Sequence, residues 1–463
     1  MTNVTKPKSM KTFFVIWLGQ LLSMVGSGLT GFALGVWIFE QTGQATPFAM
    51  TALFGILPRL ILSPFAGALV DRWNRKTVMI ISDSAAGVVT LIAAALLMSG
   101  NLEVWMIYII SALEAIFGTF QEPAYMSSVS LLVPKEQLGR ANGMIGLGQS
   151  IEAIITPIIA GALFVGIGLQ GVIIIDIVTL VFAVLALVIV RIPQPEVAQV
   201  SDVSEKKKSI WGDIAFGWQY LTKRQGLLGL LLYFACVNFF LNVCGITLGP
   251  LILSSGTPTQ LGLVQTAMGL GMLGGSLVIS TWGGPKHNRV PMVIGVIFFA
   301  SVGYILIGVS SDIIYTLLGG FTLMLFIPVA SGISQTMFQV KVVPNVQGRV
   351  FATRGMISRS MMPIAFLISG PVADYVFKPL LIEGGVLANT FVGRWIGVGP
   401  GRGLGLMFIA TGICVMLISL AAFAYPRIRR LEKEIPDVIE AGVNDQKVVE
   451  KDVRREIPRK VEA

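Results

Sequence analysis

Arg59, Asp83, Glu114, Glu152, Asp176, Arg354 and Arg359 stand inside long apolar runs, where an ionisable side chain is costly and is kept for a partner or a water-filled cavity. A carboxylate so placed holds or releases a proton according to whether a cation or water is beside it, which is the chemistry of a proton carrier. Glu114 and Glu152 are the candidate carriers. Arg59 and Glu114 each lie about 12 residues, or ~18 Å, from the corresponding ends of their runs. This predicts a buried Arg59–Glu114 pair near the midplane of a membrane. Glu152 stands at similar depth beside Pro157, whose missing N–H predicts a kink. Asp83 joins the buried charges, and Asp176 reads as structural. Arg354 can snorkel to a surface, whereas Arg359 lies deeper, where an anionic substrate or an acid of the first half could meet it. Permanently paired charges that hold helices together are the alternative, and it stays open.

Amides in the same runs, Gln20, Gln149, Asn238, Gln265 and Gln335, with Asn242 and Gln339, are candidates to line a wet substrate cavity or to bridge helices. No set of nucleophile and base is spaced for catalysis. Cys236, Cys244 and Cys414 all fall in apolar segments, without metal-ligand spacing, and the single histidine, His287, lies in a loop. No phosphate-binding Gly-x4-Gly-Lys-Ser/Thr loop occurs. The expectation is therefore no enzyme, no cofactor and no metal, with energy drawn from an ion gradient, that of protons.

A second cluster of charge lies in the stretch PFAGALVDRWNRK, where Asp71, Arg72, Arg75 and Lys76 crowd a tight hairpin between two apolar runs. Asp71 ends its own run, where a helix macrodipole disfavours an anion, and would be better placed against the N-terminus of another helix. Span eleven begins on the same side, and Gly67, one turn back, would permit close approach. Glu122 is the candidate partner for Arg72 or Arg75.

The elements that must carry these groups are membrane helices. The 463-residue chain is 54% hydrophobic and 13% charged, against ~25% charged in soluble domains. Each run exceeds the ~20 residues needed to cross a bilayer. Twelve spans are expected, near 12–38, 47–70, 77–98, 102–128, 141–166, 169–191, 227–253, 261–282, 290–309, 312–339, 351–376 and 403–425. The net charge of +9 sits in alternate short loops, the positive-inside pattern, and not among aromatic residues as nucleic-acid binding would require. Both termini are thus expected in the cytoplasm, and nucleic acid is not an expected partner. Lys378, Arg394 and Arg402 in the outer loop 377–402 break the alternation. The expected organisation is a six-helix bundle over 1–191, a linker with an amphipathic surface helix over 192–225, a second bundle over 226–425 and a solvated charged tail over 426–463. LVPKEQLGRANGM and VVPNVQGRVFATRGM follow spans four and ten, a weak internal repeat that fits two related halves with substrate bound between them near the midplane.

GALVDRWNRK resembles the Gly-x-x-x-Asp-Arg-x-x-Arg-Lys/Arg loop signature of the major facilitator superfamily, matched by Gly67, Asp71, Arg72, Arg75 and Lys76, with Asn74 where Gly is frequent. LPRLILSPFAGALVDR, EPAYMSSVSLLVPKEQLGRANG, QGRVFA and GVGPGRGLGLMF are similar to the branch of macrolide-efflux and enterobactin-exporter proteins. Span five partly matches that superfamily's antiporter signature through Gly143, Pro157 and Gly161, while Glu152, Thr156 and Ala160 replace its inner glycines. The resemblance implies an all-α membrane protein of twelve transmembrane helices in two pseudo-symmetric six-helix bundles. It also implies that the hairpin is a cytoplasmic latch, closed in one state and released in the other. The function expected is proton-coupled export of hydrophobic or amphiphilic small molecules by alternating access, from a monomer in the lipid bilayer of a bacterial inner membrane. A siderophore or lysophospholipid exporter and a non-transporting, transporter-like receptor remain as alternatives.

Overall fold

A computed structural model describes residues 10–434, apart from 71–72, 135–136, 191, 193–218, 220–221, 223–224, 286 and 343. The described residues form long helices without strands. In chain order these are α1 (Met10–Thr42), α2 (Ala45–Val70), α3 (Arg75–Met98) and α4 (Val104–Leu132). Next comes Leu138–Ile189, which is two helices, α5 (138–167) and α6 (169–189), parted by Gly168 at φ 67°, ψ −178°. That conformation is open to glycine and strained for any residue with a Cβ. There follow α7 (Gln225–Leu253), α8 (Pro258–Trp282), α9 (Arg289–Val309), α10 (Ile313–Lys341), α11 (Pro344–Pro371) and α12 (Arg402–Ala424). Among the described residues, eleven stretches are long and apolar enough to cross a membrane; splitting the longest at Gly168 gives twelve, the number of spans expected. The termini of the helices follow the hydropathy runs to within a few residues, except that α11 starts earlier and continues through a π-helical turn, Val372–Phe377.

Contacts group the chain into two compact units. The first contains α1–α6 together with Gly245–Gly269 and Phe366–Leu404. In it, apolar side chains gather at two levels along the helices. One cluster is built on Phe13, Ile16, Met79 and Leu187; the other on Leu29, Ile38, Ile107 and Ile173. Between them α1 and α3 present Gln20, Ser23, Ser27, Ser82 and Asp83, so the sequence places a polar layer between two dry ones. On α5, the Gly161 position lies against the backbone of Pro258 and Thr259, and Thr266 donates to the Ile154 carbonyl at 2.8 Å. Here the matched glycine of the span-five signature serves close packing of α5 on α8.

The second unit contains α9 and α10, parts of α7, α8 and α11, and the segment after Gly405. The expectation of a solvated tail from 426 is corrected over its first residues. Leu431 is fully buried and Ile428 nearly so, with Ile428 over Gly229 and Leu431 over Gly226 of α7. Glu432 Oε1 accepts from the Val290 N–H at 2.6 Å, capping α9 where Asn288 makes no side-chain cap. Lys341 Nζ donates to the Glu432 carbonyl at 3.0 Å. The apolar spacing Ile428–Leu431 drives this docking, and the surrounding charges obscured it in the sequence.

Candidate functional site

A cavity of about 590 Å³ occupies the polar layer of the first unit. Asp83, Glu114, Glu122, Glu152 and Arg59 line it, along with Gln20, Gln121 and Gln149. Helix α1 supplies Trp17, Gln20, Ser23, Ser27 and Gly28 at helical spacing, and the Trp17 indole N–H is fixed by donating to the Met144 carbonyl at 2.9 Å. Across from it, α3 contributes Asp83, α4 Glu114 through Tyr125, and α5 Gln149 and Glu152.

Asp83 is the most tightly held of these acids. Gln20 Nε2 donates to its Oδ2 at 2.9 Å, and Gln121 Nε2 donates in turn to Gln20 Oε1. A chain of two amides therefore runs from α4 across α1 to the carboxylate on α3. Gln121 was not picked out in the sequence; its signal was a third glutamine in a span, beside Glu122. Asp176 is 2% exposed and accepts from the Ser27 hydroxyl at 3.2 Å. It is also the charged neighbour of Glu114. Glu152 lies beside Gly28 and Thr156, with Arg59 as the cation that acts on it.

The expected Arg59–Glu114 contact is corrected. Both residues line the cavity, but the guanidinium lies over Gly118, where a Cβ would come within 2.8 Å of Arg59 Nη2. The missing side chain at Gly118, one turn beyond Glu114, opens the space the guanidinium takes. Of the expected cavity amides, Gln20 and Gln149 line this cavity, and Asn238, Gln265 and Gln335 do not. Asn238 donates to the Phe234 carbonyl of its own helix at 2.8 Å. Gln335 instead accepts from Arg354 Nη1 at 3.2 Å. Arg354 Nη2 donates to the Ser334 hydroxyl at 2.9 Å, and its guanidinium stacks 4.3 Å from the Phe338 ring centre. Arg359 stands on α11, and its side chain lies outside the described residues.

In the hairpin, Asp71 and Arg72 lie outside the described residues, and Gly67 stands in the last turn of α2. Asn74, the departure from the signature, is the N-cap of α3, accepting from the Thr77 N–H at 3.1 Å. Lys76 Nζ donates to the carbonyls of Val188 at 2.9 Å and Val190 at 2.7 Å, a cation at the negative end of α6. Arg75 Nη1 donates to the Ser127 carbonyl of α4 at 3.1 Å. Of the two expected partners of Glu122, Arg75 is thus held by α4's backbone, and Arg72 lies outside the described residues, while Glu122 itself is exposed and lines the cavity. Among the described residues no group of acids, histidines and cysteines is spaced to hold a metal ion.

Comparison with known proteins bears on this arrangement. Residues 16–366 match the family model described as Major Facilitator Superfamily. Macrolide efflux protein A of Streptococcus pyogenes is 31% identical over 373 residues, covering 79% of this chain and 90% of that protein. Multidrug efflux pump Tap of Mycolicibacterium fortuitum is 22% identical, over 90% of this chain and 96% of its own. Among solved structures, a bacterial homologue of the human lysosomal transporter Spinster superposes with a TM-score of 0.67 at 15% identity, covering 93% of this chain and 99% of that one.

Proposed function

Because the chain belongs to the major facilitator superfamily, a family of transporters rather than enzymes, we propose that it exports hydrophobic or amphiphilic small molecules in exchange for protons. In this proposal access to the site alternates between the two sides of a bacterial inner membrane, and both termini are cytoplasmic. The observation that carries the reading is the cavity of about 590 Å³ lined by Asp83, Glu114, Glu122 and Glu152 with one cation, Arg59. Its volume suits a drug-sized ligand, and a surplus of acids over cations in a membrane-embedded site leaves carboxylates free to exchange protons with water or cargo. Glu114 and Glu152 are the proposed carriers, with Arg59 setting how readily Glu152 takes up a proton. The named substrates of the relatives, macrolides above all, support export as the direction.

The test is flux driven by a pH gradient in everted membrane vesicles, with macrolides, cationic dyes and siderophores as cargo. Uptake of a macrolide or dye that collapses with the gradient, and that Glu114→Gln or Glu152→Gln reduces at least about tenfold, is the expected result. Siderophore uptake alone would reassign the cargo. Binding without gradient-dependent flux of any cargo would replace the transporter mechanism proposed here with that of a receptor.

A further inference from the structure

Helix α2 begins at Ala45, and the first N–H groups of a helix have no partner within it. Pro47 has no N–H, so Ala45 and Thr46 carry donors that need an acceptor outside the helix, and Ala45 is buried. That acceptor is a residue far along the chain. Asp374 Oδ1 takes the Ala45 N–H at 2.9 Å, and its Oδ2 takes the Thr46 N–H at 2.8 Å and the Thr46 hydroxyl at 2.6 Å. Lys378 completes the arrangement: its Nζ lies 3.2 Å from Asp374 Oδ1 and donates at 2.5 Å to the carbonyl of Gly43, between α1 and α2. The approach is close enough that a Cβ at Gly370 would lie 2.5 Å from Thr46 Cα. Asp374 sits in the π-helical turn Val372–Phe377, a geometry that often marks a functional position in a helix. The acid is 7% exposed, and a cavity of about 570 Å³ lined by Glu40, Asp374 and Lys378 opens beside it.

A carboxylate on a helix N-terminus combines charge-assisted hydrogen bonds with a favourable macrodipole. It also joins the start of α2 to a residue 328 positions later in the chain. The geometry points to Asp374 as the outer lock of the transport cycle: its bonds to Ala45 and Thr46 hold the outer side closed and must break for that side to open. This rests on the alternating-access part of the function proposed above, but not on the cargo or the proton. Lys378, one of the three basic residues that break the charge alternation of the loops, is the lock's second member. It neutralises the acid and ties it to the turn before α2.

The lock is tested without substrate. In a background with Cys236, Cys244 and Cys414 replaced by alanine, Ser23→Cys on the cavity wall reports access to a membrane-impermeant maleimide. Labelling is measured from outside in right-side-out vesicles and from inside in everted ones. Asp374→Ala is expected to raise the outside-to-inside labelling ratio about five- to tenfold, because the closed state loses bonds that the open state lacks. Lys378→Met should shift it the same way by less. General loosening of the fold would raise labelling from both sides and leave the ratio unchanged, and an unchanged ratio overturns the lock. If Asp374→Ala fails to reach the membrane, Asp374→Asn is read by the same ratio, since it keeps the shape but turns an amide donor toward the α2 N-terminus. A raised ratio together with absent flux for every cargo would leave the lock standing and remove the proposed exporter function.

Discussion

Gln20 donates to Asp83 with its nitrogen and receives Gln121 on its oxygen, so its amide is oriented from both sides. Gln20→Leu leaves the buried carboxylate without that donor, and thermal unfolding in detergent should show a loss of about 1–3 kcal/mol. Asp83→Asn is different, because the amide oxygen can still accept from Gln20 while the proton site is gone. Its expected signature is a melting temperature within a degree or two of wild type with proton-driven flux reduced. Unchanged flux would assign Asp83 to packing alone. At this scale the sequence revealed residue types and depths but not azimuths. A charged residue in an apolar run is visible at once, and Arg59 and Glu114 do line one cavity. Which way each side chain turns depends on Gly118 and on α1, α3 and α5 crowding from outside the local sequence, so the partner of Arg59 was misjudged.

The helices themselves were legible because membrane spans are governed by a strong one-dimensional signal, apolar length. What that signal misses is local. It marks a break between 166 and 169, but not that Gly168 makes it within a helical run of 52 residues, through a conformation that favours glycine. Gly168→Ala should therefore cost about 1–3 kcal/mol in thermal unfolding, although nothing lies within contact of the added methyl group. The segment after α12 was hidden for the opposite reason: its charges dominate its composition, yet Leu431 is fully buried and Glu432 caps α9. Leu431→Ala should destabilise the second unit by about 2–4 kcal/mol, as truncation of a buried leucine does. An exposed neighbour such as Arg430→Ala should have little effect in the same melt. Equal, small shifts for both would show that the docked segment contributes nothing to stability.

Across the whole molecule, α2 carries a charged feature at each end. The residue that follows its last, Val70, in the sequence is the hairpin acid Asp71, whose family resemblance implies a cytoplasmic latch. At its N-terminus stands the cap supplied by Asp374. Hydropathy made the first visible through a known motif. The second has no local pattern beyond an Asp–Lys pair four residues apart, because its partner is the start of a helix more than 300 residues earlier. A transporter that exposes its cavity to one side at a time needs the two closed states to be nearly equal in free energy, since a bias of a few kcal/mol traps it in one of them. If Asp71 favours the state closed inside and Asp374 the state closed outside, their losses must act in opposite directions. Asp71→Asn alone should lower the outside-to-inside labelling ratio at Ser23→Cys, and Asp374→Asn alone should raise it. Each should slow flux, because each traps one state. In the double variant the two biases offset, so the ratio should return to within about twofold of wild type and flux should recover relative to the slower single variant. A double variant whose ratio follows Asp374→Asn alone would show that the hairpin acid does not weigh against the outer lock.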